Sequence, residues 1–453
     1  MALQTLSGND RRLLIGVQTA KGSPIVAWEN PSNAAGKFFP VLFPFTEIGV
    51  SEQSDTTESE TVLAGRRRAP SQVGQLWAEG TYGFEVMPEM MQYLIQILTN
   101  PATVPTGTAY ADTQYRETTV SGDNAPDSAD DGVFDVPSQI EIDGTDTGTM
   151  KVTGKRRIGK PQEEELLFTE TVDVTTTVRK TKNYFSSVSN VNLSSETANN
   201  LVGDTLTAKP NLKNYSYSFR SEMSYLTFQM DKGGVPEHAY DLQIDSFTMS
   251  LGDIVTAVLT LTGRESTLYK RAVKTGSASE EGKLKLVDAA DLSDFETSYS
   301  EPALNFFPRW GGVLDFNGSD VPMTEFNMEV NNSPDTENNP STGSRFREPP
   351  VYGARISTLS PTVLFQSDDT TYRAQDNWQD LFRNQTEAPL TFEILNFLSN
   401  GKRIRITAEA SKARINGSPV VDVAGAGAIS VPLVFDCIPP SGGSELKLTI
   451  DAE

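Results

Sequence analysis

The chain contains very little cysteine and histidine. Its 453 residues include one Cys, Cys437, and one His, His238. A single Cys cannot form an intrachain disulfide, and one Cys with one His cannot supply the four ligands of a Cys/His zinc site. These counts exclude zinc fingers, zinc ribbons and thioredoxin-like redox motifs, and we expect neither a metal site nor a cofactor.

Basic residues are scarce relative to acidic ones. The sequence has 38 Lys and Arg against 60 Asp and Glu, which gives a formal net charge of −22 at pH 7. Binding to nucleic acid through its phosphates requires a basic face, so this chain is expected to repel DNA on average.

Long apolar runs are also missing. The segment FFPVLFPF at 38–45 is too short to span a bilayer and contains two prolines. We expect a soluble protein without membrane insertion, made and retained in a reducing cytoplasm.

The sequence offers weak candidates for catalysis. His238 lies beside Glu237 and near Asp241, but no G-x-S-x-G motif supplies a nucleophile, and the Gly and Pro neighbours favour a loop histidine. Cys437 follows an apolar strand pattern, which favours a buried structural thiol. The acidic stretch at 123–131 does not match the D-x-D-x-D-G calcium loop. We therefore predict no catalytic residue and no enzymatic activity.

Alternation of apolar and polar residues dominates the chain. It predicts strands at 247–263, with a break at Gly252 and Asp253, and at 324–332, 403–409 and 429–436. Helical spacing of apolar residues is convincing only at 88–100 and 374–384. The sequence therefore predicts a mainly β fold with two short flanking helices.

An acidic segment separates the first helix from further strands. Residues 101–150 hold ten Asp and Glu against one Arg, and up to about residue 132 this composition indicates a solvated linker. Short alternating strands then follow over about 137–195, which predicts an inserted immunoglobulin-like β-sandwich.

Two long segments of the chain are alike. Residues 46–98 and 324–382 each begin with a Thr-Glu strand, continue through a polar loop rich in Arg and Pro and a strand that passes Gly, and end in an amphipathic helix. We interpret this as an internal duplication. The predicted organisation is 1–104 for the first part of repeat 1, 105–212 for the acidic linker and insertion, 213–300 for the rest of repeat 1 and a connector, and 301–453 for repeat 2.

The order and spacing of these segments resemble the tail tube (major tail) proteins of long-tailed bacteriophages. The resemblance rests on LLIGVQTAKGSP (13–24), GQLWAEGTYGFEVMPEMMQYLIQIL (74–98), IDSFTMSLGDIVTAVLTLTG (244–263) and the block that begins EFNMEVNN (325–332). It covers about two-thirds of the chain and leaves 105–212 outside.

The resemblance implies a β-sandwich or barrel with a flanking helix, whose sheets join in rings. The rings stack into a hollow tube, a virion component made in the host cytoplasm, that contacts other tail proteins and conducts DNA without specific binding. Some members carry a duplicated fold, so that three chains form a pseudo-sixfold ring. The sequence leaves three or six chains per ring open, and an outer insertion favours a non-contractile tail.

Two groups of charged residues are the candidate sites. The carboxylates expected to face the lumen are Glu47, Glu52, Glu325 and Glu329. The arginines expected at contacts between adjacent rings are Arg66, Arg67, Arg68, Arg345 and Arg347. An ordinary solvent-exposed face is the alternative reading of the carboxylates, and contact with DNA is the alternative reading of the arginines.

Two other functions stay open at the level of sequence. A tail adhesin whose inserted sandwich binds host glycans would have a similar β-rich sequence. A glycoside hydrolase or lyase would need a pair of carboxylates, and so acidic a chain offers too many pairs to choose one.

Overall fold

The computed structural model describes most of the chain. The described residues are 11–25, 38–57, 62–63, 67–68, 72–101, 104–117, 133–143, 148–157, 165–175, 178–194, 205–232, 236–271, 285–287, 306–335, 344, 346–348, 351–364, 375–420 and 430–452.

Strands make up most of the described structure, as the alternation predicts. The two α-helices are α1 (Pro88–Thr99) and α2 (Gln375–Arg383), and a short 3-10 helix covers Arg309–Gly311. The strands are β1 Arg11–Val17, β2 Glu47–Ile48, β3 Ser51–Thr57, β4 Val62–Leu63, β5 Arg67–Arg68, β6 Gln72–Glu85, β7 Thr108–Ala109, β8 Thr113–Glu117, β9 Val133–Asp143, β10 Gly148–Arg157, β11 Glu165–Val174, β12 Phe185–Ser194, β13 Thr205–Lys209, β14 Lys213–Ser218, β15 Leu226–Lys232, β16 Pro236–Leu251, β17 Val255–Gly263, β18 Glu265–Arg271, β19 Lys285–Val287, β20 Gly312–Phe316, β21 Ser319–Val321, β22 Met323–Asn331, β23 Pro334–Asp335, β24 Val351–Tyr352, β25 Ile356–Leu364, β26 Ala388–Phe397, β27 Arg403–Ile415, β28 Ser430–Pro432, β29 Phe435–Cys437 and β30 Lys447–Ala452.

The predicted mainly β fold with two short helices is confirmed. The segment 247–263 forms a hairpin that turns at Gly252 and Asp253, and its alternate residues are buried. Helix α1 begins with Pro88 at a position that needs no backbone N–H, and ends at Asn100 in the left-handed conformation. In α2 the indole of Trp378 is almost fully buried against Phe316 and Phe435. Each helix therefore contributes one apolar face to the main core.

The main sheet contains the same strand arrangement twice. In the first unit β6 pairs with β3 and β17, β16 pairs with β17, β18 and β15, and β15 pairs with β1. In the second unit β25 pairs with β22 and β29, β27 pairs with β29, β30 and β26, and β26 pairs with β20. Each helix follows β6 or β25 in the chain, the strand that pairs with β3 or β22 in its unit. The two units thus share both strand order and strand pairing. Local propensity and composition alone would not require this repetition.

The two units join edge to edge. The C-terminal half of β16, in the first unit, pairs with β22 of the second unit. The paired residues run from Ser246 opposite Asn331 to Ser250 opposite Asn327. One extended sheet therefore crosses the boundary between the units. In the described part of the chain, β3 pairs with β6 along one edge and has no ladder partner along its other edge.

A second sheet lies between the two parts of the first unit. Strands β8 to β13 form a six-stranded sheet in the order β11-β10-β12-β9-β13-β8. β9 pairs with β12 over 133–138 and with β13 over 139–143, so that the two halves of the sheet share one hydrophobic core. This core is separate from the main one.

A buried ion network fastens the last strand to the body. The carboxylate of Asp451 is fully buried and accepts hydrogen bonds from Tyr110 (2.8 Å), Asn214 (3.0 Å), Arg403 (2.8 Å) and Arg405 (3.1 Å). Burial lowers the pKa of Arg405, but the charge of Asp451 outweighs this effect and raises it overall. The network thus connects β27 and β30 to both chain segments that flank the six-stranded sheet.

Candidate functional site

One face of the extended sheet is polar along its whole length. Residues opposite each other in an antiparallel pair point to the same side, so the register places one row of side chains across the strands from β6 to β27. This row is Gly83, Val258, Thr248, Glu329, Thr358, Asp436 and Arg414. The alternate residues, such as Phe84, Met328 and Leu359, point to the other side and are buried in the core.

Six carboxylates lie on this polar face, which we define as the outward side of β2, β6, β17, β16, β22, β25 and β29. They are Glu47, Glu79, Glu85, Glu325, Glu329 and Asp436. Most of the other side chains on it are Thr, Ser and Asn. The hydroxyl of Thr362 donates to Glu325 at 3.5 Å. The face is therefore acidic and hydrogen-bonding, with exposed apolar side chains at Val258 and Ile356.

Three of the four predicted carboxylates lie on the polar face. Glu47 lies opposite Gly83, and Glu325 lies opposite Thr362; both partners stand two residues before the end of their strand. Glu47 and Glu325 thus occupy equivalent positions in the two units. Glu329 lies four residues further along β22, on the same side as Glu325.

Glu52 departs from the expectation that it shares the polar face. It lies opposite Ala78, which is fully buried, so its side chain emerges on the core side of the sheet. An odd spacing of five residues separates it from Glu47, and side chains at odd spacing in an extended segment point to opposite sides. Glu52 remains exposed because β3 lies at the edge of the sheet.

Sequence reasoning missed three carboxylates of the face. Glu79 and Glu85 lie on β6, and Asp436 lies on β29 opposite Arg414. Alternation along GQLWAEGTYGFE could have placed the first two on the polar side, because Ala78, Tyr82 and Phe84 are the apolar residues of that strand. The alternation predicted at 429–436 could likewise have placed Asp436 on the polar side, because Val431, Leu433 and Phe435 are the buried residues of that segment.

The predicted arginines are only partly within the described structure. Arg67 and Arg68 form β5, which pairs with β4, whereas Arg66 and Arg345 lie outside the described residues. Arg347 lies within the described residues and contacts the first unit through both its side chain and its backbone. Its guanidinium lies 3.9 Å from the ring centroid of Trp77 and 2.9 Å from the carboxylate of Asp55, and its backbone N–H donates to Leu76.

This contact joins the two units. Arg347 belongs to the loop between β22 and β25 of the second unit, whereas Asp55, Leu76 and Trp77 belong to β3 and β6 of the first. The neighbouring Glu348 forms an ion pair with Lys21, also in the first unit. The loop rich in Arg and Pro thus lies across the edge of the adjacent unit within one chain.

The comparison with protein families agrees with this geometry. The family model described as phage tail tube protein matches residues 8–437. The chain belongs to the phage tail tube protein family. It is therefore a structural protein of the phage tail, and the match runs from before β1 to the end of β29, so that β30 of the second unit lies beyond it. No curated protein matches this member of the family.

His238 and Cys437, the two residues considered as catalytic candidates, are both buried in this family member. His238 is buried in β16, with its Nε2 3.2 Å from the carbonyl oxygen of Ile25, so the expected loop position is wrong. Cys437 is buried in β29, as predicted, and burial raises the pKa of its thiol to about 12. A thiol with so high a pKa is a poor nucleophile at neutral pH.

The described residues offer little for metal binding or membrane crossing. Among them, no group of three or more His, Cys, Asp or Glu side chains is placed to hold a metal ion. No helix in the described ranges is long and apolar enough to cross a membrane. What the polar face provides chemically is a broad negative surface of carboxylates and hydroxyl groups.

Proposed function

We propose that three copies of this chain form a ring with pseudo-sixfold symmetry, and that rings stack into a tube whose lumen is lined by the polar face. The tube would conduct the genome during ejection and bind the other proteins of the tail. The observation that carries the proposal is the continuous acidic face across two units of identical strand pairing.

The chemistry of the face suits a channel for DNA. Arginines or lysines in a lumen would bind phosphates and release counterions, which gives strong, salt-dependent adhesion. Six carboxylates per chain instead give a ring of three chains eighteen inward carboxylates. Weak repulsion of this kind would keep the genome off the wall and let it move.

The junction between the units suggests how the ring closes. β3 of the first unit corresponds to β22 of the second. Ser51 lies opposite Glu79 in the first unit, and Glu329 lies opposite Thr358 in the second, so Ser51 and Glu329 occupy equivalent positions. β3 of one copy would then pair with the chain that follows β27 in the next copy. In that segment the backbone N–H of Asn416 donates to the carbonyl of Val434, directly after the pair of Ile415 with Phe435. In the first unit, the pair of Ser246 with Thr260 follows the pair of Ile244 with Leu261 in the same way. Asn416 therefore corresponds to Ser246.

This correspondence fixes a register for the contact between copies. Because Thr248 lies opposite Glu329 inside the chain, Ser418 of one copy should lie opposite Ser51 of the next. Such strand addition uses main-chain hydrogen bonds along an edge that isolated proteins usually protect.

The loop contacts support the same arrangement. Arg347 lies on the neighbouring unit of its own chain, so the loop with Arg66, Arg67 and Arg68 in the first unit would lie on the next copy around the ring. In the proposed ring these arginines would therefore make lateral contacts, whereas the sequence alone favoured contacts between stacked rings. Arg345 would assist the contact made by Arg347.

The six-stranded sheet is the proposed inserted domain. Its own core and its position between α1 and β15 support an immunoglobulin-like module at about 105–212, outside the tube fold. An outward module is hard to reconcile with an enclosing sheath, so we propose a non-contractile tail. Tubes should still form after deletion of about 120–210, and loss of assembly would show that the module has a structural part in the ring.

Electron microscopy of the purified protein tests the proposal. With rising concentration we expect hollow filaments of stacked rings in negative stain, with threefold symmetry in end views. Sixfold symmetry with six chains would refute the ring of three. Discrete particles at every concentration, also after addition of tail-tip extract, would favour a tail adhesin instead.

A disulfide tests the closing contact separately. The double variant S51C/S418C should form intermolecular disulfides in assembled tubes, because directly opposite residues of antiparallel strands lie at a bridgeable Cα separation of about 4.5–5.5 Å. Denaturing gels should show linked chains up to a trimer. S54C/S418C is the matched control, since Ser54 points to the other side of β3. Equal cross-linking of both variants would contradict the register.

A further inference from the structure

A concave site outside the polar face lies where the inserted sheet meets the main body. It is a cleft of about 730 Å³, within the range of small-molecule sites. The inserted sheet contributes Gln139, Lys180 and Lys209, and the turn between β26 and β27 contributes Asn400 and Lys402.

Positive charge is concentrated in this cleft. Lys180, Lys209, Lys213 and Lys402 line it, against a single carboxylate of the lining, Asp112. Lys209 forms an ion pair with Glu141 at 3.0 Å. For Lys180 and Lys213, the described part of the chain shows no carboxylate within ion-pair distance. Four lysines thus line one cleft in a chain whose net charge is −22, and an anion bound among them would be attracted by their positive charge.

The walls are held by hydrogen bonds. The amide of Gln139 donates to the carbonyl of Thr181 at 2.8 Å and accepts from Asn211 at 2.8 Å. The backbone N–H of Tyr184 donates to the carbonyl of Asn400 at 2.8 Å and so ties the inserted sheet to the body. A site fixed in this way loses little conformational entropy when a ligand binds.

The lining favours a polyhydroxylated anion over a nucleic acid. Bases need accessible aromatic faces for stacking. Tyr184 is only 3% exposed, and the ring of Tyr110 is covered by the guanidinium of Arg403, 5.3 Å from its centroid. The amide N–H groups of Gln139 and Asn211 are used within the wall. The cleft offers instead the ammonium groups and the side-chain amide of Asn400, which suit carboxylate and hydroxyl groups.

We propose that this cleft binds an acidic saccharide of about two or three units through its carboxylates. The inference does not depend on the tube, because all the residues of the site belong to one chain.

Calorimetric titration of the full-length protein with tri-galacturonate at 50 mM salt tests the proposal. We expect saturable binding that is absent for neutral maltotriose. The variant K180Q/K213Q should bind about tenfold more weakly, whereas K412Q/K447Q should bind like the wild type. The second pair removes the same charge from lysines that lie elsewhere and pair with Glu387 and Glu409.

Four outcomes would overturn the proposal. They are absence of binding, equal weakening in both double variants, tighter binding of a penta-aspartate peptide or a short single-stranded oligonucleotide, and full displacement of the saccharide by millimolar sulfate. The last result would reduce the cleft to a simple anion site.

Discussion

Reversal of charge on the polar face is the sharpest test of the lumen. In the variant E325K/E329K two exposed or half-exposed carboxylates of β22 become ammonium groups, and neither takes part in the core. The face of one chain then changes from about six negative charges to about two. We expect folding and ring assembly to persist, because the backbone pairing of β22 with β16 and β25 is unaltered.

The size of the effect follows from counterion release. Two lysines in each of three chains place six ammonium groups in every ring of the wall. Contact of DNA with all six would give a slope of log K against log salt of about −5 and a loss of about a thousandfold in affinity between 50 and 200 mM salt. Wild-type tubes should retain no DNA under either condition.

The assay is retention of a linear duplex by assembled tubes, together with infectivity of phage that carry the variant. The control D173K/D320K makes the same change in net charge at exposed positions in the inserted sheet and in β21, away from the face. Normal infectivity of E325K/E329K, or equal DNA retention by the control, would refute the assignment of this face to the lumen.

Three further predictions concern stability and reactivity. Replacing Asp451 with Asn removes the counter-charge of Arg403 and leaves Arg405 paired with Glu393 alone. Since both arginines are partly solvated, we expect a loss of about 3 kcal/mol in chemical denaturation; a loss below about 1 kcal/mol, as expected for the exposed control D320N, would contradict the network. Cys437 should resist iodoacetamide at pH 8 and react fully in denaturant, because burial raises its pKa to about 12; rapid alkylation of the native protein would disprove its burial. Burial raises the pKa of Asp245, and its hydrogen bonds from Thr262 and Tyr352 oppose this shift only partly. The protonated carboxyl group therefore contributes fully to stability below the unfolded pKa of about 3.9, and this contribution is lost as the pH rises through the folded pKa. The melting temperature of D245N should fall less steeply than that of the wild type above about pH 4, and parallel curves would argue against a perturbed carboxyl group.

Local pattern carried most of the strand and helix predictions. Period-two alternation in 247–263 and 324–332 follows from burial of one side of a sheet, and the sequence alone can show it. The pairing of β16 with β22 has no such signal, because it joins segments about 80 residues apart in sequence. Recognition of the repeated Thr-Glu strand predicted the equivalence of Glu47 and Glu325 but not the junction that links the units.

The misplaced residues have specific physical causes. His238 follows Gly and Pro, which favour loops, but Pro236 is the first residue of β16, a position where the missing N–H is tolerated. Asp451 lies in the C-terminal TIDAE, and its partners Tyr110, Asn214 and Arg403 come from 48 to 341 residues away. A buried network assembled from such distant segments leaves no pattern in the sequence.

The junction between β16 and β22 also changes the energetics of assembly. In a ring of three chains with six sheet junctions, three of them form within a chain as it folds. Because the two units belong to one chain, their pairing is intramolecular, and each unit meets the other at an effective concentration of about millimolar. Three chains then form a ring through two associations of free partners, where six separate units would need five, and each association costs translational and rotational entropy. Covalent linkage of the two units would thus lower the protein concentration at which a ring can nucleate, and would leave the second unit free to differ in sequence from the first.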